Sequence, residues 1–186
     1  MFRSDHESPK AREVSTEGQG ILASRSYDLL HRWRETRPAR IPGTKADGTI
    51  DFDLLSAWVS KARDECRESG HLGVCDEQIG EVLAQDIEPD DPTAGWPCEA
   101  IRDLLEEVNS ESMTRGFEIG IFNKRGATWR SLTEGGSQER ELSDKHRTYA
   151  NAIQDEWPLI AASLRHVAEG YDHDAAREDE EAKRRL

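Results

Sequence analysis

The chain has 186 residues, 35% hydrophobic and 34% charged, with a formal net charge of −13; it is long enough for one core but poor in apolar area for a compact globule. That balance fits a helix-rich protein that is elongated or completed by a partner. The charge excludes the broad positive face that duplex nucleic acid requires, and the sequence lacks a run of roughly eighteen apolar residues that would cross a membrane.

Residues 1–22 are polar, carry Pro9, Gly18 and Gly20, lack the apolar centre of a secretory signal, and read as a flexible tail. A helical domain is expected over 23–172. Its first element, "SRSYDLLHRWRETR", places Tyr27, Leu30 and Trp33 at helical spacing until Pro38, and "RPARIPGTKADGT" follows as a loop. In "IDFDLLSAWVSKARDECRESG", Leu54, Leu55, Trp58, Val59, Ala62 and Cys66 form an apolar stripe, with Asp51 placed to cap the start and Gly70 to end it. "CDEQIGEVLAQD" repeats the pattern through Ile79, Val82 and Leu83, with Asp76 and Glu77 suited to the positive end of the helix dipole. The two elements read as an antiparallel hairpin joined by "GHLGV".

"IEPDDPTAGWP" is a rigid acidic connection, and Pro97 is expected at the first position of a helix over roughly Cys98 to Asn109. Ser110 can cap the next helix. Phe117, Ile119 and Ile121 also alternate like a strand, so a short β-hairpin near 117–131 stands as the alternative to a helix carrying Met113, Phe117 and Ile121 on one face. The helix is favoured because acidic residues lead, basic residues close, and Gly126 fits the position after the C-cap. After Gly135 and Gly136, a helix with Leu142, His146, Tyr149 and Ile153 on one face runs to Pro158. There the chain kinks or starts a long final helix whose stripe lasts to Tyr171. Residues 173–186 read as a charged helical extension or frayed tail. The expected fold is all-α: an irregular bundle or short stack of helical hairpins, about six to seven helices, with a long C-terminal helix.

Charge is unevenly distributed. Asp76 to Glu111 holds twelve acidic residues against Arg102 alone, and the next stretch reverses sign with Arg115, Lys124, Arg125 and Arg130. The candidate ligand or anion site is therefore Arg115, Gly116, Gly120, Lys124, Arg125, Arg130, Gly135, Gly136 and Gln138. Two glycines four apart leave a flat strip on a helix, at a cost of roughly 1 kcal/mol each against alanine, and a helix beginning after Gly136 offers free N–H groups to an anion. The competing explanations are tight helix packing at the glycines and pairing of the basic residues with the acidic segment.

Other chemistry finds less support. Cys66, His71 and Cys75 lack the close C-x-x-C pair of a zinc site, and Asp172, His173 and Asp174 point in different directions on a helix. "DIEPDDP" lacks the spaced ligands of a calcium loop. No nucleophile elbow or phosphate loop is present, so no catalytic residue, metal or cofactor is assigned. Three separated cysteines fit a reducing, cytoplasmic setting better than a disulfide framework.

"LLHRWR", "DEQIGEVLA", "WPCEAIRDLLEE" and "TRGFEIGIFNKRGATWRSLTEGGSQERE" resemble a helical segment near the C-terminus of long, uncharacterised bacterial multidomain proteins. The resemblance spans about Tyr27 to Glu181 and brings no activity, cofactor or site residue. It implies a module that accompanies larger machinery. The expected function is accordingly a non-catalytic helical interaction module, an adaptor or accessory part of a bacterial assembly, with Trp96, Trp129, Asp90 and Asp91 as partner-interface candidates. A protein partner is expected, a homo-oligomer is compatible, and nucleic-acid or membrane partners are disfavoured. The alternative is a small-ligand or nucleotide-sensing domain built on 115–138.

Overall fold

In the computed structural model, which describes residues 41–126 and 134–185, six α-helices and one 3-10 turn make an all-α fold. The tail at 1–22, the helix expected around Tyr27 to Trp33, and the candidates Trp129 and Arg130 lie outside the described residues.

A tight turn at Thr44–Ile50, closed by one antiparallel bridge between those two residues, leads into α1, Phe52–Glu68. Asp51 caps α1 by accepting from the Leu54 N–H at 3.2 Å. Gly70, at φ 77°, reverses the chain through a conformation that a side chain would strain. Helix α2, Leu72–Leu83, starts three residues before the expected point, so the link between the helices is only Ser69–His71. Asp76 consequently lies a turn inside α2 rather than at its end. It is 2% exposed, and is held by Arg63 of α1 at 2.9 Å and by the Ser110 hydroxyl at 2.7 Å.

The connection to α3, Glu99–Val108, contains the 3-10 turn Pro92–Ala94, which Asp91 caps. Pro97 does not open α3. The Trp96–Pro97 peptide is cis, and Cys98 precedes the helix in extended conformation with its N–H donated to Asp86 at 2.8 Å. Asn109, in the left-handed region at φ 43°, separates α3 from α4, Glu111–Lys124, and Ser110 caps α4. The hairpin alternative therefore fails over 117–124. Met113, Phe117 and Ile121 are buried one turn apart on α4, and Ile119, which a strand would have placed on the same face as Phe117 and Ile121, is only part-buried off that stripe.

Helices α2 and α4 run parallel and in unusually close contact. Gly73 lies opposite Ser112, Glu77 opposite Gly116, and Glu81 opposite Gly120, so contacts advance together along both chains. Helix α5, Ser137–Ile153, and helix α6, Pro158–Arg185, form an antiparallel pair. Arg147 pairs with Asp172, and Arg140 with Asp179 at 2.8 Å. Pro158 starts α6 instead of kinking a continuous helix. Past Asp172 the chain stays helical to Arg185, and Ala175 there is 3% exposed against the start of α5. Helix α3 is joined to the α5–α6 pair: Asp103 accepts the Trp157 indole N–H at 2.7 Å, and Glu106 accepts the Ile160 N–H in the first turn of α6 at 3.1 Å.

Candidate functional site

Each described residue of the basic, glycine-bearing stretch already has a use within the fold. A Cβ on Gly116 would stand 2.0 Å from the Glu77 carbonyl oxygen, and one on Gly120 would stand 2.6 Å from the Ala84 Cβ. The strip between them is filled by α2 and leaves no space for a ligand. Arg115, largely exposed, approaches Glu77 at 3.6 Å.

Lys124 and Arg125 close α4. Lys124 donates to the Asp86 carbonyl at 2.5 Å, pairs with Glu88 at 3.2 Å, and stands 5.1 Å from the Trp96 ring. Lys145 of α5 pairs with the other oxygen of Glu88. Opposing these two cations, burial pulls the other way on Glu88, yet its carboxyl is held below the usual range. Arg125 pairs with the buried Glu139 of α5 and lies 5.7 Å over the Tyr171 ring of α6. The acidic segment thus partners Arg115 and Lys124, whereas Arg125 finds its carboxylate outside it.

The start of α5 is likewise occupied. Gly136 donates its N–H to Asp179 at 2.9 Å, so a carboxylate from α6 sits where an external anion would bind. Gly135 lies so close to Asp179 that a Cβ there would be 2.5 Å from its carboxylate oxygen, and Gln138 donates to Glu134 at 2.9 Å.

Beneath Lys124 lies a buried aromatic cluster. Trp96 stacks on Phe117 at 5.4 Å and meets Tyr149 at 5.8 Å, while His146 contacts Trp96, Tyr149 and Tyr171. Trp96 is 1% exposed and unavailable as a surface anchor. Its position between Gly95 and Pro97 in an acidic connection reads as loop, and only the packing of that connection onto α4 and α5 reveals it as core. His146 Nδ1 lies 2.8 Å from the Leu142 carbonyl and must carry the proton to bond it, which leaves Nε2 as an acceptor without a partner.

Burial pushes the His146 pKa down from 6.5, with Lys145 and Lys124 adding to the fall and the Leu142 carbonyl and Glu88 opposing it. The folded state therefore binds fewer protons here than the unfolded chain. Stability from neutral His146 is complete above about 6.5 and drains as pH falls through the lower folded value. Glu88 and Asp172, whose pKa values are lowered, lose their contributions at more acidic pH, and Asp86, raised by burial, acts in the opposite sense there. His146→Phe is expected to flatten the first part of this loss. Urea unfolding of both chains through that pH range provides the measurement, and an unchanged slope contradicts the assignment.

One cluster has the composition of a nucleophilic site but the wrong order. The Ser163 hydroxyl donates to Glu118 Oε1 at 3.0 Å, and His166 Nδ1 lies 2.9 Å from Glu118 Oε2. Serine activation needs the imidazole between hydroxyl and carboxylate. Here the carboxylate is in the middle, so His166 cannot take the serine proton. No group of three or more metal-ligating side chains suited to an ion occurs among the described residues, nor does a helix long and apolar enough to cross a membrane.

The surface around the acidic connection is different. Asp86 holds the Cys98 N–H, Glu88 holds two lysines, and Asp91 caps the 3-10 turn, so this segment is braced at several points. Ile87 nevertheless stands 81% exposed, with Asp90 and Asp91 exposed nearby in the same segment. Ile87 also borders a cavity of about 310 Å³ shared with Ile41, Lys45 and Ile50. No family model, curated protein or solved structure matches the chain.

Proposed function

We propose that the protein is a non-catalytic helical interaction module, the accessory or adaptor part of a larger bacterial assembly, and that it docks a protein partner through the acidic connection. The observation that carries this reading is the exposure of Ile87 on a segment whose neighbouring side chains are fixed inward. An apolar residue displayed on a braced backbone loses little conformational freedom when it binds, which is the advantage of a preorganised interface. Asp90 and Asp91 suit a basic rim around the partner's apolar pocket. The internal use of Arg115, Lys124 and Arg125 lends the same reading support, because a ligand would have to displace carboxylates already in contact.

The test is affinity purification of the tagged full chain from the cells that produce it, beside Ile87→Glu and Asp90→Lys. A stoichiometric partner that falls by roughly ten-fold, or about 1.4 kcal/mol, in both variants is the expected result, with thermal midpoints unchanged. Equal recovery from all three chains sinks the docking surface. A thermal-shift panel of phosphorylated compounds covers the sensing alternative: stabilisation that Arg125→Glu abolishes would move the assignment there.

A further inference from the structure

The turn between α1 and α2 brings two free cysteines into a common frame. The Cys66 carbonyl accepts the His71 N–H at 2.8 Å, and the His71 carbonyl accepts the Cys75 N–H at 3.0 Å, so both cysteine backbones are tethered to one residue. Cys75 Sγ lies 3.6 Å from the Ala62 carbonyl, on the face of α1 that carries Cys66 one turn later. The Arg63–Asp76 ion pair, at 2.9 Å, holds the same two helices side by side. Both cysteines are free and part-exposed, which leaves them open to a small reagent from solvent.

We infer that Cys66 and Cys75 form a dithiol site that a low-molecular-weight disulfide, such as oxidised glutathione, converts reversibly to an intrachain disulfide. Burial pushes the Cys75 thiol up to about 12, and the adjacent Cys66 thiol and Asp76 carboxylate add to the rise. Cys66 is therefore the attacking group. Its thiolate displaces one glutathione thiolate and forms a mixed disulfide. Cys75 then gives up its proton and attacks the Cys66 sulfur, forming the Cys66–Cys75 bond and releasing the second glutathione thiolate. Two protein thiols lose two electrons and two protons, and one oxidised glutathione becomes two reduced molecules. The closed ring clamps the end of α1 to the start of α2.

The test uses the full chain carrying Cys98→Ser, equilibrated with oxidised glutathione, acid-quenched and weighed intact, followed by peptide mapping. The expected product is lighter by two hydrogens, joins the Cys66 and Cys75 peptides, and returns to the dithiol with dithiothreitol. Adding Cys75→Ser to this background should give a single glutathione adduct on Cys66 instead, whereas adding Cys66→Ser should leave Cys75 largely unmodified over the same time. In the wild-type chain, mapping should find the same linked peptides, and hydrogen exchange across 69–75 should slow on oxidation. Glutathione on both cysteines, or two unreacted thiols under excess oxidant, would overturn the inference. These readouts involve no partner and stand apart from the docking test.

Discussion

Gly116→Ala is expected to destabilise the protein by about 3 kcal/mol, the upper part of the range for overpacking, although alanine is the better helix former. The added methyl would meet the Glu77 carbonyl oxygen at 2.0 Å and its Cα at 2.7 Å. Both atoms belong to backbone, so no rotamer change relieves the clash and α2 must move away from α4. Gly80 faces the same seam from the other side, where a Cβ would lie 2.1 Å from the Met113 carbonyl. Gly73 provides the opposite case on the same helix. It is exposed, and its nearest neighbour would be the Ser112 hydroxyl at 3.7 Å, an ordinary contact. Gly73→Ala should therefore gain about 0.5 kcal/mol from reduced freedom of the unfolded chain. Urea unfolding distinguishes the two, with midpoints shifting in opposite directions at constant m-value. A Gly116→Ala chain as stable as the wild type would refute the parallel seam.

The same seam shows what a linear reading reaches. Asp51, Gly70, Ser110 and Gly126 mark helix ends through interactions within a few residues, and each is legible because the chemistry is local. Gly116 and Gly120 announce a flat strip, but their counterpart is Gly80, which in "QIGEVLA" reads only as a gap in an apolar stripe. Which helix fills the strip depends on a crossover through α3 that local periodicity does not encode. Ion pairs behave likewise. The acidic segment supplies Glu77 and Glu88 to Arg115 and Lys124, yet the rotation of α4 sends Arg125 toward Glu139 and Tyr171. Asp179 reaches the start of α5 only because α6 remains helical and antiparallel over its whole length, beyond the point where its apolar stripe ends. Ile87 is the converse case. Its acidic surroundings are plain in the sequence, but its exposure follows from the inward use of Asp86 and Glu88 on either side.

Trp96→Ala should cost about 4 kcal/mol, in the range for emptying a large buried aromatic site, whereas Trp96→Phe should cost less than about 2 kcal/mol. The indole lies in a stack with Phe117, beside Tyr149 and under Lys124, so alanine leaves a cavity among side chains from α4, α5 and the connection. Phenylalanine keeps much of that stack. It also removes the indole N–H, which is buried and has no acceptor, so the lost volume is partly offset by relief of an unsatisfied donor. Urea unfolding of the two variants measures the difference, and equal losses would contradict the packing account, because phenylalanine would then recover nothing by keeping the stack. The comparison also separates fold from function. Trp96 sits inside the same connection as Ile87 but is 1% exposed against 81%, so any partner binding lost in Trp96→Ala should be proportional to the unfolded fraction. Ile87→Glu should lose binding while the protein stays folded. Together the two substitutions place the tryptophan as the plug that holds the connection against the core, and the isoleucine as the side chain it presents.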